Sequence, residues 1–217
     1  MDPKQIVADG YDQIAEAYAA AALKASQRDG GSVRDRYLTQ ITAGLADGAS
    51  VLDLGCATGV PVAQKLAERF EVTGVDISAR SIELARQNVP NATFIHGDMT
   101  SLTFPEASFD AVVSFFAIFH VPREQHAPLF RAIASWLQPG GVLVTTLLSR
   151  ANPGLVETWL EARMFYSGFS GDAGTDVVRA SGLEIVSARL ETAEEDGKPV
   201  TFFWIIARKP SEPPVGP

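Results

Sequence analysis

Residues 51–61 read Val51-Leu52-Asp53-Leu54-Gly55-Cys56-Ala57-Thr58-Gly59-Val60-Pro61. An apolar strand with one carboxylate runs into a turn of small residues that opens a helix, with Pro61 near its first position. Small residues let the backbone approach a ligand closely. In an open parallel sheet the ligand crevice lies beyond the carboxyl ends of the strands, so this turn stands where a nucleotide would bind. Asp76 closes the next apolar run, 23 residues after Asp53 (76 − 53). That is near the ~20-residue distance at which an acid takes the ribose hydroxyls. Together the loop and Asp76 read as an adenosine site. A dinucleotide loop would be spelled Gly-x-Gly-x-x-Gly, to admit a pyrophosphate onto the helix N-terminus. Here the order is Asp53-x-Gly55-x-Ala57-x-Gly59, and an acid before the turn suits a cationic ligand tail better than a phosphate.

Outward from this loop, short β-branched runs alternate with amphipathic stretches, the pattern of a parallel sheet covered by helices. Residues 50–54, 71–75, 92–95, 109–114 and 141–146 read as strands, and 61–70, 78–87 and 122–137 as helices. From Leu183 the pattern changes to two extended runs, 183–186 and 200–206, joined across Asp196-Gly197, which predicts an antiparallel pair. Ahead of the sheet, Tyr11, Ile14 and Tyr18 fall on one face of an Ala-rich helix, and 32–45 reads as a second helix. Residues 149–175 are aromatic and Gly-rich, interrupt the alternation and are expected to cover a pocket. The end, 209–217, is Pro-rich and reads as a loose tail.

Composition bounds the partners. The chain has 217 residues, 46% hydrophobic and 20% charged, close to the ~45–50% and ~25% of globular chains. Its 18 Lys+Arg against 26 Asp+Glu give a net charge of −8, so no basic excess is available for nucleic acid or anionic lipid. There is no ~20-residue apolar run of the kind that spans a membrane, and the start, Met1-Asp2-Pro3-Lys4, lacks the basic then apolar pattern of a signal peptide. A cytoplasmic location is expected. The single cysteine, Cys56, excludes an intrachain disulfide and any multi-cysteine metal cluster.

The motif set resembles the class I S-adenosylmethionine-dependent methyltransferases, of the type acting on small molecules. The resemblance rests on the 53–59 loop, on Gly74-Val75-Asp76-Ile77-Ser78, on Gly97-Asp98-Met99, on Phe109-Asp110-Ala111-Val112-Val113 and on Leu137-Gln138-Pro139-Gly140-Gly141-Val142-Leu143. It covers about residues 10 to 208. Ala57 departs from the family's usual middle glycine, and binding is expected to survive its small methyl. By this resemblance Gly55, Cys56 and Ala57 would meet the amino acid part of S-adenosylmethionine through backbone. Asp53 would order the loop or reach the ammonium, and Asp76, with Ile77 beside it, would hold the ribose. Asp98 and Met99 would contact the adenine, and Phe115 would line the methionine portion. Tyr11-Asp12-Gln13-Ile14-Ala15-Glu16-Ala17-Tyr18 resembles a family helix that folds over the cofactor, which would place Tyr18 on the cofactor and Tyr11 toward the acceptor.

His120 follows Phe115-Phe116-Ala117-Ile118-Phe119 at the lip of the fourth strand. Similar methyltransferases often carry a histidine there, so His120 is the candidate catalytic residue, a base near pKa 6–7 for a phenolic acceptor. His96 and His126 are expected to be solvated, as is the acidic patch of Glu191, Glu194, Glu195 and Asp196. Cys56 lacks an adjacent base and is not read as a nucleophile. Trp159, Phe165, Tyr166 and Phe169 are candidate walls for an aromatic acceptor.

The resulting expectation is an α/β, Rossmann-like three-layer sandwich with a seven-stranded, mostly parallel sheet, its last strand pair antiparallel, plus an N-terminal helical cap. Residues 1–208 would form one methyltransferase domain: cap 1–47, cofactor core 48–149, lid 150–175 and C-terminal hairpin 176–208, with 209–217 as a flexible tail. Its activity would be metal-independent, in-line methyl transfer from S-adenosylmethionine to a small, partly aromatic acceptor. No Asn/Asp-Pro-Pro-Tyr follows the fourth strand, which argues against exocyclic nucleobase amines, and no acid triad for Mg²⁺ stands at the strand ends. The rivals are an NAD(P)-dependent reductase and a non-catalytic S-adenosylmethionine-binding protein with a protein partner.

Overall fold

A computed structural model describes residues 2–27, 32–195 and 198–211. The strands are β1 (Ser50–Leu54), β2 (Glu71–Asp76), β3 (Thr93–His96), β4 (Phe109–Ser114), β5 (Leu137–Leu148), β6 (Asn152–Trp159), β7 (Ala162–Gly168), β8 (Glu184–Glu195) and β9 (Lys198–Arg208). The helices are α1 (Pro3–Ser26), α2 (Val33–Thr42), α3 (Val62–Leu66), α4 (Ala79–Asn88), α5 (His126–Trp136) and α6 (Gly171–Arg179). Seven strands form one sheet in the order β3-β2-β1-β4-β5-β9-β8. The first five are parallel, and β9 runs antiparallel to both β5 and β8. This is the expected fold.

The apolar runs are continuous because both faces of the sheet are covered. Val51, Ala111, Val113 and Val144 point to one face, where they meet Tyr37, Leu38 and Ile41 of α2, Leu66 of α3 and Ile82 of α4. Their neighbours Leu52, Leu54, Val112 and Leu143 point to the other, against Leu129, Phe130 and Ile133 of α5 and Val178 of α6. Chain order reverses at β1: β2 pairs on one side of it and β4 on the other. That switch point opens a crevice at the carboxyl ends of β1 and β4.

Helix α1 lies across this end. Asp2 caps it by accepting from the Lys4 amide at 3.0 Å. Three side chains then fasten it down: Lys4 to Asp98 at 2.6 Å, Asp12 to the Ser78 hydroxyl at 2.6 Å, and Glu16 to Arg80 at 2.5 Å.

Residues 150–175 contain an element the sequence reading lacked. β6 and β7 form an antiparallel hairpin in which Trp159 faces Ala162, leaving Leu160 and Glu161 as a two-residue turn. Both turn residues have positive φ, 46° and 67°, the geometry usually signalled by Asn-Gly or Asp-Gly; here neither signal is present. The hairpin packs under α1, where a Cβ at Gly10 would stand 2.5 Å from the Arg163 carbonyl. Small Gly10 is what allows that approach.

Other expectations need adjustment. His126 is buried, 1% exposed, with Nε2 2.9 Å from the Val121 carbonyl oxygen; the first turn of α5 tucks it inward, and it is not solvated. Glu191 is half-buried against α2, accepting from Arg36 at 3.1 Å and from the Tyr37 hydroxyl at 3.2 Å. His96 is exposed. The Asp196-Gly197 turn lies outside the described residues, as does 212–217 of the tail. Lys209, read as the start of that tail, donates its backbone N–H to Gly141 O at 2.9 Å and its ammonium to Leu137 O at 2.7 Å. Among the described residues no helix is long and apolar enough to cross a membrane.

Trp204 on β9 is 2% exposed and stacks on Tyr37 with ring centroids 4.5 Å apart. Trp204→Ala is expected to cost ~3–5 kcal/mol in a denaturant titration. Leu190 on the edge strand β8 is 57% exposed, and Leu190→Ala should stay within ~0.5 kcal/mol of wild type.

Candidate functional site

The loop after β1 is built by backbone bonds to β2. Gly55 and Cys56 both donate N–H to the Val75 carbonyl, at 2.8 and 3.0 Å. Asp76 closes the turn from the other side: Oδ2 accepts from Ala57 N at 2.8 Å and Oδ1 from Ser78 N at 2.9 Å. Burial pushes the Asp76 carboxyl up, and these two amides pull it back only in part. Gly55 has φ 79°, and a methyl there would overlap the Ala117 side chain. Ala57 has φ 48°, so the position at which the family prefers glycine is left-handed here too, held by an alanine. The Cys56 sulfur faces Gly74 of β2 and burial pushes its thiol well up, so this residue offers the loop only its backbone.

Between this loop and α1 lies a cleft. Gly55, Ala57, Asp76, Ile77, Asp98, Met99, Phe115, Tyr11, Tyr18 and His120 line it. The cleft therefore brings together residues that the sequence reading drew from five separate segments. It also brings in Lys4, Val7, Gly97, Phe116, Ala117 and Val121. Phe116 holds φ 58° and donates its N–H to Thr146 Oγ1 at 2.5 Å, which fixes a strained aromatic at the wall. Lys4 had no signal in the sequence, since its partner Asp98 is 94 residues away.

At one end Asp98 accepts from Lys4 Nζ at 2.6 Å and from Thr100 N at 2.9 Å. Burial would raise its carboxyl, but these bonds outweigh it and hold Asp98 ionised and below the usual range. Asp53, in β1 just ahead of the loop, is only 2% exposed. It does not line the cleft. Its Oδ2 has no partner among the described residues, and burial, followed by the charge of Asp76, pushes it up to about 7. A buried carboxyl with an orphaned oxygen is a site short of a cation. Within the cleft, the Asp76 and Asp98 carboxyls and the small Gly55 and Ala57 fit the polar and close-packed parts of S-adenosylmethionine.

His120 ends a short 3₁₀ turn, Ile118–His120, and is 7% exposed. Its Nδ1 lies 2.7 Å from the Phe165 carbonyl oxygen, which can only accept, so Nδ1 carries the hydrogen. Nε2, 3.1 Å from the Tyr11 hydroxyl, is then the acceptor. Burial lowers the ring from 6.5 to about 4, with the Phe165 carbonyl opposing. The expected base near pKa 6–7 is therefore corrected: the imidazole is neutral at physiological pH and weakly basic.

The four expected acceptor walls do not line the cleft. Trp159 meets Tyr11 and Tyr18 edge-on at 6.4 and 5.7 Å, one layer behind them. Tyr166 lies 4.9 Å from the His120 ring, and Phe165 packs on Ile6 and Val7 of α1. Phe169 belongs elsewhere, between His126 and the Arg123 guanidinium, because the chain has already turned toward α6.

Residues 51–141 match the model of a methyltransferase domain. The chain therefore carries a methyltransferase domain over those residues, within a fold shared with S-adenosylmethionine-dependent methyltransferases. It is 27% identical over 191 residues to an uncharacterized methyltransferase of Synechocystis, covering 79% of this chain and 90% of that one. It is 33% identical over 113 residues to the demethylmenaquinone methyltransferase of Listeria welshimeri, an alignment spanning 48% of this chain and 47% of the relative. The fold matches, at 22% identity and a TM-score of 0.63 over 89% of each chain, the 1,6-didemethyltoxoflavin N1-methyltransferase of Burkholderia thailandensis, solved with that substrate and S-adenosylhomocysteine. The cofactor of this methyltransferase is S-adenosylmethionine, and the reductase reading falls with that finding.

The loop geometry separates two substitutions in this methyltransferase. Gly55→Ala must move either the loop or Ala117, and is expected to cost more than ~2 kcal/mol and to abolish cofactor binding. Ala57→Gly relieves a left-handed alanine while adding freedom to the unfolded chain, and should change stability by less than ~1 kcal/mol. Thermal unfolding with and without S-adenosylhomocysteine reads both.

Proposed function

We propose that this methyltransferase methylates a small, partly aromatic acceptor without the help of a metal ion, residues 1–208 acting as one unit under the α1 cap. The observation that carries this reading is the aromatic wall of the cleft. Tyr11, Tyr18, Phe115 and Phe116 line it, and flat apolar walls select flat apolar ligands. The named substrates of the Listeria and Burkholderia relatives, a demethylmenaquinone and a toxoflavin precursor, support the same class. Among the described residues no group of three or more His, Cys, Asp or Glu could hold a metal ion.

S-adenosylmethionine supplies, when bound, a methyl group already made electrophilic by its sulfonium. The protein's part is to hold and align. Asp76 would take the ribose hydroxyls, Asp98 the adenine amino group, Ile77 and Met99 the ring, and the Gly55–Ala57 backbone with Asp53 the amino acid portion. Helix α1 excludes water from above. His120, neutral and fixed in one tautomer, orients the Tyr11 hydroxyl and offers Nε2 as a proton acceptor at the acceptor end.

Three outcomes test this reading. Asp76→Ala is expected to weaken S-adenosylmethionine and S-adenosylhomocysteine by ~100-fold in calorimetry, the loss of about two charged hydrogen bonds partly replaced by water; unchanged affinity in a folded variant would remove the ribose assignment.

His120 is needed unprotonated, so kcat at saturating S-adenosylmethionine should stay flat as pH falls from 8 to 5 and drop only toward its lowered value of about 4. His120→Asn should lower turnover ~10-fold or more with little change in cofactor affinity. An acid limb centred at 6–7 that His120→Asn removes would show that the ring is not buried during turnover; one that persists in His120→Asn belongs to Asp53, raised to about 7.

Activity should also survive dialysis against a chelator. Loss that Mg²⁺ restores would replace the alignment mechanism with a metal-assisted one.

A further inference from the structure

Lys4 stands in the first turn of α1, beside Pro3, where the helix dipole disfavours a cation. Its ammonium reaches a turn 94 residues away: Nζ donates to Asp98 Oδ2 and to Thr100 Oγ1, both at 2.6 Å. Helix formation does not account for this lysine. Its partner does, because Asp98 and Lys4 both line the cleft.

A carboxylate offers about four acceptor sites, and four groups already converge on Asp98. Thr100 N and Lys4 Nζ donate at 2.9 and 2.6 Å. The Thr100 and Ser101 hydroxyls reach Oδ2 at 2.8 and 3.1 Å. Of these four donors, only the lysine belongs to a residue that lines the cleft. An adenine amino group entering from the cleft is one more N–H donor. It would meet an ammonium on the carboxylate, and two donors cannot bond without an acceptor between them.

We propose that Lys4 is an internal competitor of the cofactor: its ammonium occupies the seat on Asp98 that the adenine amino group takes, and must leave as the cofactor enters. The inference rests on Asp98 receiving that amino group. It couples cofactor entry to release of the first turn of α1, while Asp12 and Glu16 hold the next turns to Ser78 and Arg80. The competing role is purely structural, with Lys4 seating α1 on the sheet whatever the cleft contains.

Calorimetry with two ligands separates these roles without turnover. The ligands are S-adenosylhomocysteine and its deaminated analogue, S-inosylhomocysteine, in which a carbonyl oxygen replaces the amino group. Lys4→Met keeps the apolar stem and removes the competitor. It should bind S-adenosylhomocysteine about two- to fivefold more tightly than wild type does, the size expected for a partly exposed ion pair. S-inosylhomocysteine should bind Lys4→Met no more tightly than wild type, because its carbonyl can accept from Lys4 and is repelled by a bare Asp98. Lys4→Arg, which keeps a cation, should stay within about twofold of wild type for both ligands.

Equal shifts of the two ligands in Lys4→Met would mark the structural role, and weaker S-adenosylhomocysteine binding would make Lys4 a cofactor contact; either result overturns the proposal. Salt gives a second test that needs no variant. S-adenosylhomocysteine has no net charge at neutral pH, so its affinity for wild type should rise about twofold as screening weakens the Lys4–Asp98 pair between about 0.05 and 0.5 M NaCl, and a flat or falling response would overturn the proposal. If Lys4→Met does not prefer S-adenosylhomocysteine over S-inosylhomocysteine, the Asp98 assignment itself fails, and this inference with it.

Discussion

Asp76 gives both carboxylate oxygens to backbone amides, one in the loop after β1 and one at the start of α4. Those two bonds decide where the loop sits, how the helix begins, and therefore where the floor of the cleft lies. The carboxyl bears the cost of being buried for it. A neutral side chain of the same shape could accept at one oxygen but would present a donor at the other, facing an amide that is also a donor. The chemistry of a carboxylate is thus required before any ligand arrives. The same residue can serve a ribose only because the loop is already folded around it.

Much of this was written in local sequence. The β1 loop, the acid at the end of β2 and the Gly97-Asp98-Met99 turn are each set by residues adjacent in the chain, where strand periodicity and turn chemistry act directly. All of them line the cleft or abut it. The sandwich was legible for the same reason, since β1 and β4 are buried on both faces and read as unbroken apolar runs. What escaped was long-range or atypical. Lys4 meets Asp98 only because α1 crosses the sheet. The β6–β7 hairpin turns on Leu160 and Glu161, two residues that pay a steric penalty for positive φ and so leave no turn signature. His126 and Glu191 looked solvent-facing by their polar neighbours, and tertiary packing placed them otherwise.

Electrostatics drew the sharpest line between sequence and structure. The position of His120 at the lip of β4 followed from its neighbours, yet its basicity did not, because that depends on α1 and β7 closing over it. Asp53 shows the reverse. Its location in the motif suggested a cationic ligand, and its burial without a partner supports that reading in physical terms. Both groups are held in costly states by packing around the cleft, which is how perturbed titration and function come to coincide.

The bond that fixes the His120 tautomer comes from the main-chain carbonyl of Phe165, not from a side chain. Any residue at position 165 supplies the same oxygen, provided β7 keeps its register. The outward-facing side chains of the hairpin can therefore be rewritten without altering the protonation pattern of the imidazole beneath it. The exposed Leu155 and Val156 of β6 are open to variation, while Ala162, Met164, Phe165 and Ser167 are buried and a deletion that slips β7 by one residue would unseat the ring.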